Sequence, residues 1–165
     1  MAISGTGKAK RESAILFMDV GDSTAEYEAI GKDNDDLTRE RNNEVEANKN
    51  VLGETEVTVT NGNQVTSVDP FKFRRESKIA QLLYKIDKEN LDGSDVEKTF
   101  IEVFTEDKEE DGEYAAFKQT GAIDLKSWGG DTTAVGMPFD INWKGAREYG
   151  TFDPTTKTFT PTVSA

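Results

Sequence analysis

Apolar and polar residues alternate with a period of two over most of this chain, and with a helical period over one stretch only. Residues 13–20 hold a short apolar run, Ile15, Leu16, Phe17, Met18 and Val20, stopped by Gly21 and Asp22, which suits a buried strand. Residues 22–36 are acidic and loop-like, closing on Asp33, Asp35 and Asp36. From 37 to 49 the pattern is extended but poor in apolar side chains. Arg39, Arg41, Val45 and Ala47 share one parity; Glu40, Glu44 and Glu46 share the other. A strand with so little apolar payload is not held by its own core, so it needs partners or stays mobile. Residues 53–60 alternate cleanly, with Glu54, Glu56, Thr58 and Thr60 opposite Thr55, Val57 and Val59. Asn61-Gly62 then predicts a tight hairpin turn, with the sheet continuing over 64–68 to Asp69 and Pro70.

The helical stretch is 76–89, where Ile79, Leu82, Leu83 and Ile86 recur at 3.6-residue spacing. It predicts an amphipathic helix lying on a sheet, its apolar stripe facing the core, ended by Asn90 to Gly93. Further strands are expected at about 98–106, 113–120, 122–127 and 134–144. A closing hairpin follows, 147–152 and 157–160 around a turn at 153–156. Short strands separated by turn signals read as an all-β sandwich or barrel of antiparallel strands, patched by one helix. At 165 residues the expectation is a single domain, 1–165.

Composition narrows the chemistry. Leu, Ile, Val and Phe make up about a fifth of the chain, just above the level below which a highly charged chain stays disordered. The fold is therefore lean, with long polar excursions outside its core. There is no histidine and no cysteine. That removes an imidazole base, a Ser-His-Asp triad, a thiolate nucleophile, the usual zinc ligands and disulfides. Residues 107–118 mimic a calcium loop, with Asp107, Glu109, Asp111 and Gly112 at positions 1, 3, 5 and 6; but Lys118 stands where a bidentate Glu is needed. They read as a charged hairpin tip. Gly5 to Lys8 falls short of a phosphate-binding loop, and Trp128 and Trp143 are too few for a sugar cleft. No catalytic, cofactor or metal constellation emerges, so the expectation is not an enzyme. No apolar run approaches a membrane span and no apolar leader is visible, which reads as a soluble, cytosolic-type chain.

The net charge of −12 is blocky: −8 over 19–56, −9 over 87–113, +3 over 71–78, and zero over the last 52 residues. The acidic blocks are either solvated loops or surfaces that repel a polyanion. A nucleic-acid binder of the usual sort is disfavoured, because it needs a basic face.

The order of these parts resembles the tail tube (major tail) proteins of tailed bacteriophages, most similar to those of siphophages of Gram-positive hosts. The residues that carry the resemblance are Asn42 to Glu46, Asn50 to Thr55 and the alternating strand after them, and Ser67 to Phe71 leading through bases into Ser77 to Leu83. The closing hairpin from Gly150 to Phe159 completes the pattern. The resemblance implies two packed antiparallel sheets with one flanking helix, and self-assembly into stacked six-membered rings. The hollow tube so formed conducts DNA and the tape-measure protein during ejection. It also implies contacts with tail terminator and distal tail proteins, no cofactor and no membrane, and a place in the virion tail after assembly in the host cytoplasm. A long loop, here 33–56, an N-terminal arm, 1–12, and a C-terminal tail, 160–165, would contact neighbouring subunits. Glu44, Glu46, Glu54 and Glu56 are then candidates for the lumen, against the reading of an outer solvated face. Lys72, Arg74, Arg75 and Lys78 are candidates for salt bridges between subunits, against the reading of a solvated helix start. The alternative function is an acidic β-sandwich binding or adhesion module of a bacterial surface or secreted protein.

Overall fold

A computed structural model describes residues 3–163; the outermost residues of the N-terminal arm and C-terminal tail, Met1, Ala2, Ser164 and Ala165, lie outside the described residues. The chain is mainly β, 49% strand and 11% helical, with antiparallel sheets and one α-helix. Its strands in order are β1 (Ala14–Asp19), β2 (Tyr27–Ile30), β3 (Arg39–Glu40), β4 (Glu44–Lys49), β5 (Thr55–Thr60) and β6 (Val65–Val68). After helix α1 (Lys78–Lys88) come β7 (Glu97–Glu110), β8 (Glu113–Leu125), β9 (Gly129–Gly130), β10 (Val135–Gly136), β11 (Phe139–Asp153) and β12 (Thr158–Pro161).

Where two packed sheets are expected from the sequence, the hydrogen bonding gives one continuous ladder, β2-β1-β7-β8-β11-β6-β3, with β12 added to β11. β4 and β5 form a separate two-stranded sheet, as do β9 and β10. The long ladder curls. Phe152 of β11 lies 4.8 Å from the ring of Phe17 in β1 and 5.8 Å from Tyr27 in β2, although β1, β7 and β8 intervene between β2 and β11. No ladder joins the β2 and β3 edges among the described residues, so the curl does not close into a barrel.

Alternation along each strand divides the core between the two faces of the curled sheet. Leu16, Met18, Phe100, Phe139, Ile141 and Trp143 face α1, which buries Ile79, Ala80, Leu83 and Ile86 against them, with Leu82 partly buried. Phe17, Tyr27, Ile101, Val103, Ala116 and Phe152 form a smaller cluster on the other face. The apolar stripe expected of the helix is thus core.

The helix starts where it does because two oxygens cap it. Ser77 Oγ accepts from the Ala80 N–H at 3.2 Å. The Glu28 carboxylate, reaching across from β2, accepts from the Ser77 hydroxyl at 2.6 Å and the Lys78 N–H at 2.9 Å. These satisfy donors that the first turn leaves without partners, and they place negative charge at the positive end of the helix. Glu28→Ala is expected to lower stability by about 1–3 kcal/mol, read as a fall in the urea midpoint, with Glu28→Gln losing less.

Two expected turns differ. The sequence predicts a break at Gly121, between strands at 113–120 and 122–127, but β8 runs straight through it. A Cβ at Gly121 would lie 2.5 Å from Ile141 Cγ2 and 2.9 Å from the Phe100 ring, so this glycine makes room for side chains leaning in from the two flanking strands and is not a turn. Asn61-Gly62 does not close a hairpin either, because β5 and β6 are not paired. β6 buries Thr66 and Val68 and is drawn into the main sheet, whereas β5 buries nothing and pairs with β4. Gly62 is needed because its backbone presses on the carbonyl of Asn42, where a Cβ would sit 1.6 Å from the oxygen. The closing hairpin forms as expected, with Phe152 opposite Phe159.

Candidate functional site

The segment expected to be a long loop, 33–56, is largely the first half of a projecting hairpin. Its tight turn lies at Asn50 to Glu54, not at Asn61-Gly62. The Asn50 N–H donates to the Glu54 carbonyl, and Asn50 Oδ1 accepts from the Leu52 and Glu54 N–H groups at 2.9 and 3.0 Å. Gly53 supplies the positive φ of +79°. All twelve residues of β4 and β5 are exposed.

The register makes this hairpin two-faced. Val45 pairs with Val59 and Ala47 with Val57, putting four apolar side chains on one face. Glu44 pairs with Thr60, Glu46 with Thr58 and Asn48 with Glu56, putting three carboxylates on the other. Glu54 sits at the turn, where its carboxylate accepts from Asn50 Nδ2 at 2.8 Å. Parity along the sequence thus places Glu44, Glu46 and Glu56 together. It equally places Val45, Ala47, Val57 and Val59 together, and no third layer covers them among the described residues: Val45 is 65% exposed, Val57 62% and Val59 59%. At the tip Val51 and Leu52 are also exposed. An isolated hairpin is marginal in water, and this one leaves its apolar face open to solvent.

The four basic candidates divide. Arg74 pairs with Asp33 at 2.6 Å and Lys78 with Glu26 at 2.7 Å, so both are engaged inside the chain by acids of the first acidic block. Lys72 and Arg75 are exposed beside them. At the root of the hairpin, Arg39 pairs with Glu102 and lies 5.1 Å above the Phe117 ring. Burial lowers the pKa of its guanidinium, while the Glu102 carboxylate opposes that shift. No model of a known protein family matches this chain, and no curated protein matches it. Among the described residues no three carboxylates converge as metal ligands, and no helix is long and apolar enough to cross a membrane.

What the pattern of residues left unassigned was the exposed valine face. Its signal is present in the sequence: valines at alternate positions in a segment with no third strand to bury them.

Proposed function

We propose that this chain is a structural subunit that associates with copies of itself, as the tail tube proteins it resembles do, into stacked six-membered rings around a channel for DNA. The observation that carries the reading is the two-faced hairpin. Its valine face packs onto a neighbouring copy, and its carboxylate face is left to line the channel. An antiparallel, mainly β chain with a single helix supports that reading. The tape-measure protein occupies the channel before DNA does, and terminator and distal tail proteins close its ends.

Burial of the valine face between copies supplies the apolar area that the lean core lacks. Glu44, Glu46, Glu54 and Glu56 facing the channel repel phosphates, the reverse of the counterion release that binds proteins to DNA. Sedimentation over a concentration series is expected to show assemblies of six copies and multiples of six; a monomer at every concentration contradicts the reading. Glu54→Lys with Glu56→Lys is expected to leave tubes intact while slowing or blocking DNA passage in phage that carry them. Normal infectivity of such phage contradicts the channel assignment of the glutamates.

A further inference from the structure

Copies of a chain with net charge −12 repel one another, so a contact between them needs a locally positive surface. The basic segment 71–78 is a poor source, because Arg74 and Lys78 are already paired within the chain. A better one lies on the edge of β11. One side of that strand pairs with β8 over 139–144 and again over 148–152. On the other side β6 covers residues 139–142 and β12 covers 150–153, and the Trp143 N–H and Tyr149 carbonyl bond to Gln64 and Thr162, leaving 144–148 open. There the register against β8 shifts between Lys144 and Glu148, with Gly145 at a φ of +74°.

The opening is a pocket of about 510 Å³ lined by Arg41, Gln64, Trp143, Gly145, Arg147 and Tyr149, among others. Gln119 holds the irregular backbone in place by donating to the Gly145 carbonyl at 3.0 Å. Arg147 donates to Gln64 Oε1 at 3.1 Å and stacks 4.1 Å from the Phe117 ring centroid. Arg41 donates to Asn61 Oδ1 at 2.9 Å. Neither guanidinium pairs with a carboxylate among the described residues, whereas the lysines nearby do: Lys144 with Glu97 at 2.5 Å and Lys118 with Glu148 at 2.6 Å. The pocket therefore holds two positive charges met by amide oxygens and an aromatic ring, with no carboxylate partner among the described residues, in a protein rich in acids.

We infer that this arginine pocket receives the acidic turn of the β7–β8 hairpin, Glu110 and Asp111, from a second copy of the chain. The inference rests on the self-assembly proposed above and names a contact for it. Glu110 pairs with Glu113 across a two-residue turn, so the tip is narrow; both Glu110 and Asp111 are exposed, and Lys108, 3.7 Å from a fully exposed Asp111, leaves the turn acidic. A copy cannot fill its own pocket. Asp111 lies eight residues along the strand from Gln119, about 27 Å at 3.4 Å per residue. The contact is head-to-tail, the kind that propagates into rings or stacks. A duplex is a poorer occupant, since its phosphates need an extended basic face and here only two arginines are without a carboxylate partner among the described residues, Lys144 being paired with Glu97.

The test uses full-length protein and reverses each side of the contact. Arg41→Glu with Arg147→Glu, and separately Glu110→Arg with Asp111→Arg, are each expected to raise the concentration needed for assembly by about tenfold or more. The second pair changes an exposed turn, so its effect does not depend on whether the first pair folds well. Mixing the two variants restores complementary charge at every contact, and assembly near the wild-type concentration is expected. Variants that each assemble as the wild type does overturn the pocket assignment and leave assembly through the valine face standing. A wild type that never assembles overturns both. Retention of a single-stranded DNA oligonucleotide, or of inorganic phosphate, by wild type but not by Arg41→Glu with Arg147→Glu overturns the assigned occupant.

Discussion

Val57→Asp with Val59→Asp is expected to weaken self-association by about 100-fold or more while leaving the fold in place. Burying a valine side chain contributes roughly 1.5–3 kcal/mol, and carboxylates in their place would be buried without partners, so a loss above about 3 kcal/mol follows. The subunit itself loses little. Both valines are more than half exposed, and β5 pairs only with β4, outside the main ladder. Surface changes of this kind stay within about 0.5 kcal/mol of neutral. Thr58→Asp, between them on the opposite face, adds the same charge to the same strand and is expected to leave association nearly unchanged. Sedimentation gives the association constants and urea melts give the stability. Equal effects from Thr58→Asp and the valine pair would mean that the two faces are not distinguished, which contradicts the assignment.

Phe152→Ala is expected to cost about 3–5 kcal/mol, a large part of the roughly 5–15 kcal/mol by which a domain is stable. The side chain is fully buried and touches Phe17 and Tyr27 across the curl. It ties β11 to β1 and β2, which the ladder keeps apart, so its removal leaves a cavity in the smaller core cluster. A drop of about 10 °C in melting temperature follows for a chain of this size. Tyr27 supplies a local readout. Burial raises its phenol pKa, with the Asp19 and Glu148 carboxylates adding to the shift. Opening the curl hydrates the phenol, so in Phe152→Ala its ionisation is expected to move down toward the ordinary tyrosine value near 10. An unchanged melting temperature together with an unchanged Tyr27 titration contradicts the role given to Phe152.

The fold was legible in the sequence wherever a residue's neighbours along the chain decide its environment. The helix could be read because Ile79, Leu83 and Ile86 meet one surface at the helical period, and the valine and glutamate faces because parity is fixed by the pleat. What fails is the choice of partner. Asn61-Gly62 has the composition of a hairpin turn, but β6 has a better offer of burial in the main sheet beside β11, and the glycine serves a close approach to Asn42 instead. Gly121 looks like a break and is a packing site for the same reason. Arg74 and Lys78 looked available to a neighbour because Asp33 and Glu26, which pair with them, lie some forty to fifty residues earlier in the chain. The arginine pocket was not legible at all. Arg41 and Arg147 come from opposite ends of the sequence, and only the gap between β6 and β12 on β11 brings them together.

The most direct measurement of the proposed function is electron microscopy of the concentrated wild-type protein. Tubes of constant diameter, or stacked rings whose end views are six-fold and enclose an open channel, are the expected result. Monomers alone at high concentration, or aggregates without fixed diameter or symmetry, would contradict it.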